Sequence, residues 1–175
     1  GGVRIPMVVR PPGGREETEP ARIDRPVVTT DLFATILSAA EVAFDDEDLD
    51  SMDLAGFWSD AGTSTDGRPL VWHMPHQWGA RGPGIEPFSS LRHGNWKLIY
   101  FHDGPRFELY DLDRDLGETT DLAAEMPELV QRLGGVLELE LERRNARLST
   151  LKTTGRAIRG PAASATPTDS PSRTD

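Results

Sequence analysis

The stretch "LRHGNWKLIYFHDGPRFELYDL", residues 91–112, decides the fold of this chain. Gly-Asn at 94–95 and Asp-Gly at 103–104 are dipeptides that favour tight turns between strands. The segment between the turns has the period of two that is typical of a β-strand, since Trp96, Leu98 and Tyr100 alternate with Lys97, Ile99 and Phe101. Apolar residues on both faces indicate a strand that a helix covers on one side. Two hairpins, and so three antiparallel strands, are predicted.

The segments on either side extend this sheet and cover it. "PLVWHM", residues 69–74, predicts a further strand, which makes four. A long helix is predicted from about residue 127 to residue 148, because Pro127 fits a first helical turn. Its predicted apolar face consists of Leu129, Val130, Leu133, Val136, Leu137 and Leu141. We therefore expect a small antiparallel sheet packed by one long helix.

The beginning of the chain predicts a strand and a helix of another kind. "VRIPMVVRP", residues 3–11, is a Val-rich run that predicts a buried strand. "TTDLFATILSAAEV" predicts an amphipathic helix that Thr29 or Thr30 caps, with Asp31 at its positive end. The predicted apolar stripe of this helix is Leu32, Phe33, Ile36, Leu37 and Ala40.

The boundaries of these parts follow from changes in composition. Residues 45–68 are an acidic linker, and residues 149–175 have so little apolar content that a disordered tail is predicted. With a strand and helix before the linker and a sheet and helix after it, the fold class is α+β, or the end of a larger α/β protein.

The charge and the missing residue types restrict the partners. A formal net charge of -10 disfavours a nucleic-acid binder, because phosphate backbones attract an excess of Lys and Arg, and it disfavours an anionic membrane surface. The absence of cysteine excludes disulfides and thiolate chemistry within this chain. No run of about 18 apolar residues occurs, so no membrane insertion is expected. The chain opens with Gly-Gly rather than Met or a leader, and we expect that upstream sequence is missing.

Two histidines, His73 and His76, lie three residues apart in "PLVWHMPHQWGARG", residues 69–82. Three interpretations are open: a metal site, a substrate contact, or polar residues at the end of a strand. On a strand, residues i and i+3 point to opposite faces, and Pro75 interrupts the segment. No third ligand has a matching spacing, so a zinc-dependent enzyme is the weakest of the three interpretations.

Three carboxylates, Asp111, Asp113 and Asp115, have the 1-3-5 spacing of a calcium-binding EF-hand loop. The template then fails, because position six is Leu116 rather than Gly and position twelve is Leu122 rather than Glu. We predict instead that these Asp side chains close turns before the long helix. No G-x-S-x-G elbow, phosphate loop or H-E-x-x-H motif occurs, and no catalytic or metal-binding residue is predicted in this chain.

Five segments occur in a characteristic order: "GGVRIPMVVRPPG", "VVTTDLFATILSAAEV", "DLDSMDLAGFW", "LVWHMPHQW" and "SSLRHGNWKLIYFHDGPRFELYDLDRDLGETTDLAAEMPEL". Together they resemble the C-terminal part of type I sulfatases, the formylglycine-dependent, arylsulfatase-like enzymes, over residues 1–148. The last segment is similar to the family's R-x-G-x-W-K-L-I hairpin and E-L-Y-D-L-x-x-D-P-x-E-x-x-N-L motif. Ala34, Leu116 and Asp121 stand where the family usually has Pro, Pro and Asn.

The resemblance implies the end of an alkaline-phosphatase-like α/β fold. Residues 1–44 would be the last strand and helix of the large N-terminal catalytic domain, and residues 45–68 the acidic linker loop. Residues 69–148 would be the C-terminal subdomain, a four-stranded antiparallel sheet packed by a long helix. An isolated chain is expected to expose the apolar residues that normally cover the large sheet, namely Val8, Val9, Phe33 and Leu37.

The resemblance also implies a reaction whose central groups lie elsewhere. The family hydrolyses sulfate esters with a formylglycine made from Cys or Ser in a C/S-x-P-x-R motif, while a calcium ion and Lys, Arg and His side chains neutralise the sulfate. No such motif occurs here, and the calcium ligands and the G-K-G lysine would belong upstream of Gly1. The chain alone is therefore expected to be inactive. Its expected partners are the missing N-terminal catalytic region and a sulfated carbohydrate or aryl sulfate.

One segment matches the mouth of the substrate pocket in many members of the family. On "WHMPHQW", residues 72–78, the resemblance implies that His76, and after it His73, hydrogen-bond the group that bears the sulfate. Trp78 would be a platform on which that group stacks. Arg92 and Lys97 are predicted to be structural.

Two further expectations rest on the resemblance alone. Arg4 would anchor a loop beside the pocket, and the complete enzyme would be periplasmic or extracellular. The alternative from a different class is a non-catalytic module, the product of a truncated or split sulfatase gene, that binds a partner protein or a glycan.

Overall fold

The computed structural model describes residues 3–10, 22–45, 49–57, 67–77, 86–104 and 106–165. The chain divides into two compact units, residues 2–66 and residues 67–175. No helix in the described part of the chain is both long enough and apolar enough to cross a bilayer.

The second unit contains the predicted four-stranded antiparallel sheet. Its strands are β1 (Leu70–Met74), β2 (Phe88–His93), β3 (Trp96–Phe101) and β4 (Arg106–Asp111), and their spatial order is their order in sequence. Neighbouring strands are antiparallel throughout. The turns after β2 and β3 contain Gly94 and Gly104 at φ of 62° and 66°, a backbone region that glycine adopts without strain. The four-stranded sheet and its turns are confirmed.

One face of this sheet packs against a long helix, α2 (Pro127–Arg143). Cross-strand pairing places Leu91 beside Leu98 and Leu98 beside Leu109, and all three are fully buried under the helix. The buried residues of α2 are Leu129, Val130, Leu133, Gly134, Leu137 and Leu141. The predicted apolar face is therefore confirmed, with Val136 only partly buried.

The end of α2 differs from the prediction, which extended the helix to residue 148. The helix stops at Arg143 because Asn145 adopts a left-handed conformation, with φ of 51°. Asn is one of the few residues that tolerates this conformation, and it commonly ends helices.

The prediction of a disordered tail over residues 149–175 is wrong for residues 149–165, whereas residues 166–175 lie outside the described residues. A bridge pairs Thr150 with Ala157, and Ile158 joins the core with 9% of its surface exposed. A short helix, α3 (Pro161–Ala165), follows. Its backbone approaches α2 closely, since a Cβ added at Gly134 would lie 3.3 Å from the Pro161 carbonyl oxygen. Composition failed here because one isoleucine and a close backbone approach are enough to order a short segment.

The first unit lacks the predicted buried strand. Residues 3–10 form neither a helix nor a strand, and Val8 is 96% exposed. The Val-rich run has no neighbouring strand in the described residues to pair with, and backbone pairing is what makes a strand. The expected exposure is confirmed for Val8, Val9 and Phe33, while Leu37 is half-buried.

The first helix, α1 (Asp31–Ala39), is present, and its predicted apolar stripe is largely uncovered, as expected for Phe33 in this chain alone. Its buried residues are Asp31, Ala34 and Thr35, whereas Phe33 and Ile36 are exposed. The Asp31 carboxylate accepts hydrogen bonds from the Val28 and Met52 backbone amides, at 2.9 and 3.0 Å.

The hydroxyl of Thr35 completes the polar contact of α1. It accepts a hydrogen bond from the Leu54 amide at 2.9 Å, beside the buried Leu54 side chain. Thr30 occupies the predicted cap position of α1, but its side chain makes no cap hydrogen bond. These polar contacts decide which face of the helix is buried, and the periodicity of apolar residues does not.

The packing of the segment after α2 yields a first prediction. Ile158→Ala should lower the free energy of unfolding by about 2 kcal/mol, because the deletion leaves a cavity against α2 and the sheet. Leu151→Ala, at a side chain that is 45% exposed in the same segment, should change it by less than about 0.5 kcal/mol. Urea unfolding followed by circular dichroism measures both changes. Equal effects of the two variants would show that residues 149–165 do not pack as described.

Candidate functional site

The candidate site lies where β1 ends, and the three predicted substrate residues differ in their surroundings. His73 belongs to β1 and is half-buried, whereas His76 is exposed on the bend that follows Pro75. Trp78 lies outside the described residues.

His73 faces the same side of the sheet as the α2 core, because it pairs with Ser89 and that serine pairs with Tyr100. Its Nδ1 lies 2.8 Å from Ser89 Oγ, and its Nε2 lies 3.0 Å from the Arg147 carbonyl oxygen. Both ring nitrogens therefore have partners within the protein. His76 is the more accessible of the two histidines.

A second imidazole, that of His102, continues the hydrogen bonds that begin at His73. His102 Nε2 lies 2.8 Å from Ser89 Oγ, and its Nδ1 lies 2.7 Å from Ser149 Oγ. The Ser149 hydroxyl donates to the Pro75 carbonyl oxygen at 2.6 Å. We call these four side chains the His–Ser chain. It joins the end of β1 to residues 147–149.

His102 is enclosed, with 2% of its surface exposed, and it lies between two other rings. The ring centroids of His73 and Tyr100 are 5.7 and 5.5 Å from that of His102. Burial, and after it the positive charge of His73, lower the pKa of His102 from 6.5 to about 4. His102 is thus a neutral imidazole at ordinary pH.

The histidines do not form a metal site in the described part of the chain. No group of three or more His, Asp or Glu residues there has the arrangement of a metal site. The lone pairs and protons of His73 and His102 are used by serine hydroxyls and a carbonyl group. The pair of His73 and His102 therefore does not fit a zinc ion.

Two of the three aspartates close turns, as predicted: Asp111 at the end of β4 and Asp115 in the loop after it. Asp115 accepts hydrogen bonds from the Thr119 and Thr120 amides at 2.7 and 2.8 Å. The bond from Thr120 is the largest cause of the lowered pKa of Asp115. Asp111 accepts from the Asn95 side-chain amide at 2.8 Å and from the Asp113 amide at 3.1 Å.

Asp121, which stands where the family motif usually has asparagine, bonds two backbone amides. Its Oδ1 accepts hydrogen bonds from the Leu109 and Ala123 backbone amides, both at 2.9 Å. An asparagine carbonyl oxygen accepts the same two bonds, which explains why either residue fits this turn. The departure from the family motif leaves the local structure intact.

The predicted structural role of Lys97 is confirmed. Its ammonium group donates to Glu118 Oε2 at 2.6 Å, and both side chains are largely buried. Burial opposes the ionisation of Glu118, but the hydrogen bond from Lys97 helps to lower the pKa of this carboxyl. Arg92 donates to the Gly94 carbonyl oxygen at 3.3 Å, across the turn after β2. The pair of Lys97 and Glu118 fastens β3 to the loop after β4.

Three members of the His–Ser chain escaped the sequence analysis. Ser89 lies on β2 at a position whose inward orientation follows only from the register. His102 follows β3 and has no local motif around it. Ser149 lies in the segment that was predicted to be disordered. The one sequence feature that could have indicated this cluster is the alternation of residues along β1 and β2, because it places His73 and Ser89 on core-facing positions.

Comparisons with known proteins relate this chain to sulfatases. No protein-family model matches it. It is 29% identical over 133 residues to a sulfatase of Formosa agariphila, in an alignment that covers 73% of this chain and 24% of the relative. It is 31% identical over 143 residues to an uncharacterised sulfatase of Schizosaccharomyces pombe, covering 76% of this chain and 24% of the relative. The chain spans about a quarter of the length of the curated relatives it matches.

Solved structures share the fold. A protein of Bacteroides thetaiotaomicron assigned to the sulfatases superposes with a TM-score of 0.56 and 18% identity, over 79% of this chain and 28% of that one. A protein in complex with its substrate D-glucosamine-2-N,6-O-disulfate superposes with a TM-score of 0.51 and 23% identity. The alignment covers 66% of this chain and 24% of that one. A phosphonate monoester hydrolase of Agrobacterium radiobacter superposes with a TM-score of 0.50 and 22% identity. The alignment covers 78% of this chain and 30% of that one.

The fold is therefore the α+β end of the alkaline-phosphatase-like class of folds, with a four-stranded antiparallel sheet and a long helix. Within that class, the curated relatives are sulfatases, over about three quarters of this chain. The resemblance to the C-terminal portion of a sulfatase, found from the motifs, is confirmed.

The buried His102 yields a prediction about pH. Because the pKa of His102 is about 4 in the folded protein and about 6.5 in an unfolded chain, the unfolded state binds more protons between these values. The free energy of unfolding should therefore fall by about 2 kcal/mol on acidification from pH 6.5 to pH 4, discounted for partial solvation. His102→Gln should reduce this fall, and His93→Gln should not. Denaturant titrations at several pH values measure the difference, and parallel curves for wild type and His102→Gln would contradict it.

Proposed function

We propose that this chain is the C-terminal portion of a sulfatase that hydrolyses sulfate esters, carbohydrate sulfates or aryl sulfates. The observation that carries this proposal is the relation to sulfatases over three quarters of the chain, in a subdomain that spans a quarter of each relative. The structural neighbour in complex with a disulfated glucosamine supports a carbohydrate sulfate in particular.

The proposed division of labour leaves the bond-breaking chemistry to the rest of the enzyme. A formylglycine supplies the nucleophile and a calcium ion stabilises the negative charge on the sulfate when both are present. No motif in the sequence fits a formylglycine, and no group of His, Asp or Glu in the described residues fits a calcium ion. The sequence has no C/S-x-P-x-R motif, and the carboxylates of Asp111, Asp115 and Asp121 accept hydrogen bonds from protein amide groups.

The proposed contribution of this chain is the rim of the substrate pocket. His76 is exposed on the bend after β1, next to the carbonyl group that Ser149 holds. An exposed imidazole on an anchored bend suits hydrogen bonding to a sugar hydroxyl or to an ester oxygen. Trp78 is proposed to stack on the sugar or aryl ring. His73 is proposed as a weaker contact, because its ring nitrogens already bond Ser89 and Arg147.

The absence of turnover in the chain alone is a direct test. The purified 175-residue chain should hydrolyse neither an aryl sulfate nor a sulfated glucosamine faster than heat-treated protein does. The same chain joined to its upstream reading frame, or mixed with a separately expressed N-terminal region, should restore hydrolysis. Turnover by the isolated chain would show that the catalytic groups lie within it.

The alternative is a non-catalytic module that binds a partner protein or a sulfated glycan. It would be favoured if the reading frame begins near Gly1, without an upstream C/S-x-P-x-R motif. Calorimetric titration of the 175-residue chain with a sulfated oligosaccharide and with its unsulfated counterpart separates the two functions.

We also propose that the complete enzyme is periplasmic or extracellular, which cell fractionation tests.

The proposed rim predicts the effect of a single substitution in the longer protein. His76→Ala should lower kcat/KM for a sulfated substrate by about 10- to 100-fold, because one hydrogen bond to the substrate is lost. Gln77→Ala, at the exposed neighbouring residue, is the matched control and should change kcat/KM by less than about 2-fold. Equal effects of the two substitutions would remove His76 from the pocket. A phosphonate monoester assayed in parallel shows whether the enzyme prefers sulfur or phosphorus esters.

A further inference from the structure

The His–Ser chain runs between two backbone carbonyl groups, and each of its ends must therefore donate a hydrogen. One end is His73 Nε2, 3.0 Å from the Arg147 carbonyl oxygen. The other end is Ser149 Oγ, 2.6 Å from the Pro75 carbonyl oxygen. Between them, Ser89 Oγ lies 2.8 Å from both His73 Nδ1 and His102 Nε2, and His102 Nδ1 lies 2.7 Å from Ser149 Oγ.

The five contacts require more hydrogens than neutral side chains supply. Every hydrogen bond uses one hydrogen, and carbonyl groups supply none. The hydroxyls of Ser89 and Ser149 provide two, and two neutral imidazoles provide two more. The fifth contact is a hydrogen bond only if one imidazole carries both ring protons. The geometry of the chain thus defines a site for one additional proton.

The additional proton belongs on His73. Its two ring nitrogens then donate to Arg147 and Ser89, Ser89 donates to His102, and His102 donates through Nδ1 to Ser149. His102 is the wrong carrier because it is enclosed, and burial lowers its pKa to about 4. The ring of Tyr100 faces His102, and no ion pair in the described part of the chain joins either imidazole to a carboxylate.

We propose that the His–Ser chain is a proton-dependent clamp, in which protonated His73 holds residues 147–149 against the end of β1 and so positions the bend that carries His76. Ser89, His102 and Ser149 are positioning residues in this proposal. The assignment of the bend to a substrate pocket rests on the proposed function, but the proton count does not.

Loss of the additional proton breaks the hydrogen bond at one end of the His–Ser chain. If His73 loses the hydrogen on Nε2, its contact with the Arg147 carbonyl group is lost. If it loses the hydrogen on Nδ1, Ser89 and His102 reverse their donor roles, and Ser149 turns its hydrogen from Pro75 to His102. Either way, residues 147–149 or the bend at Pro75 lose an anchor. The neighbouring charged side chain on this segment is Arg147, which is exposed to solvent.

Imidazole nitrogen NMR of the 175-residue chain tests the proton count without reference to activity. In long-range 1H–15N spectra at pH 8, where an imidazole with the usual pKa of about 6.5 is neutral, we expect His73 to show two protonated nitrogens and His102 to show the neutral tautomer with hydrogen on Nδ1. A neutral His73, or a His102 with hydrogen on Nε2, would overturn the proposal.

Two substitutions sharpen this test, because each removes the need for the fifth hydrogen. Without the Ser89 hydroxyl, three contacts remain, and neutral residues satisfy them all. Ser89→Ala should therefore abolish the doubly protonated signal of His73 at pH 8. Ser149→Ala should abolish it as well and should move the hydrogen of His102 from Nδ1 to Nε2. Ser90→Ala, at a buried serine on the opposite face of β2, is the control and should leave both patterns unchanged. If the signal of doubly protonated His73 persists in both Ser89→Ala and Ser149→Ala, the proposed clamp is wrong.

An activity measurement in the longer protein separates this proposal from the proposed function. Ser149→Ala should raise KM for a sulfated substrate with little change in kcat, and it should flatten the pH dependence of KM. An unchanged pH dependence alongside the expected NMR patterns would overturn the link between the clamp and the pocket. If the longer protein hydrolyses no sulfate ester, the proposed function fails, and the NMR patterns still decide whether the clamp exists.

Discussion

The structure of residues 67–165 depends on covering one apolar face of a four-stranded sheet. Leu91, Leu98 and Leu109 form the middle of that face, and α2 buries them completely. A straight helix of 17 residues is about 26 Å long and covers only part of a twisted sheet. The end of the sheet that carries Tyr100 is closed by residues after the helix, where the Tyr100 hydroxyl donates to the Arg159 carbonyl oxygen at 2.7 Å.

Segments without regular secondary structure cover the end of the sheet that carries Tyr100, and this explains the polar groups found there. Segments without regular structure present carbonyl groups that are costly to bury without a donor. Pro75 and Arg147 present such groups, and the side chains of Ser149 and His73 donate to them. Every buried side-chain nitrogen and oxygen in the described residues has a partner. Hydrogen bonds thus replace apolar contacts at this end of the sheet. In the proposed clamp, the position of residues 147–149 therefore depends on the protonation of His73.

The elements that could be predicted from the sequence are those in which the period of apolar residues coincides with burial. The four strands and α2 belong to this kind, because their own sheet and helix cover each other. The run at residues 3–10 failed, since a strand needs a neighbouring strand. The exposure of Phe33 on α1 was expected, whereas the buried contacts of Asp31 and Thr35 with the backbone of residues 52–54 were not predicted. At the candidate site, His73 and His76 were found from their spacing, but Ser149 depends on contacts distant in sequence.

The same architecture occurs in a phosphonate monoester hydrolase, so the fold by itself does not choose between sulfur and phosphorus esters. That choice requires groups that touch the ester, and the described polar side chains of this subdomain mostly bond to its own backbone or to one another. The exposed His76 is an exception with chemical consequence, because Ser149 anchors the carbonyl group that precedes it. A rim held by a short polar chain can shape substrate preference without taking part in bond cleavage. Under the proposed function, this subdomain would control which ester is positioned, and the reaction itself would depend on residues outside it.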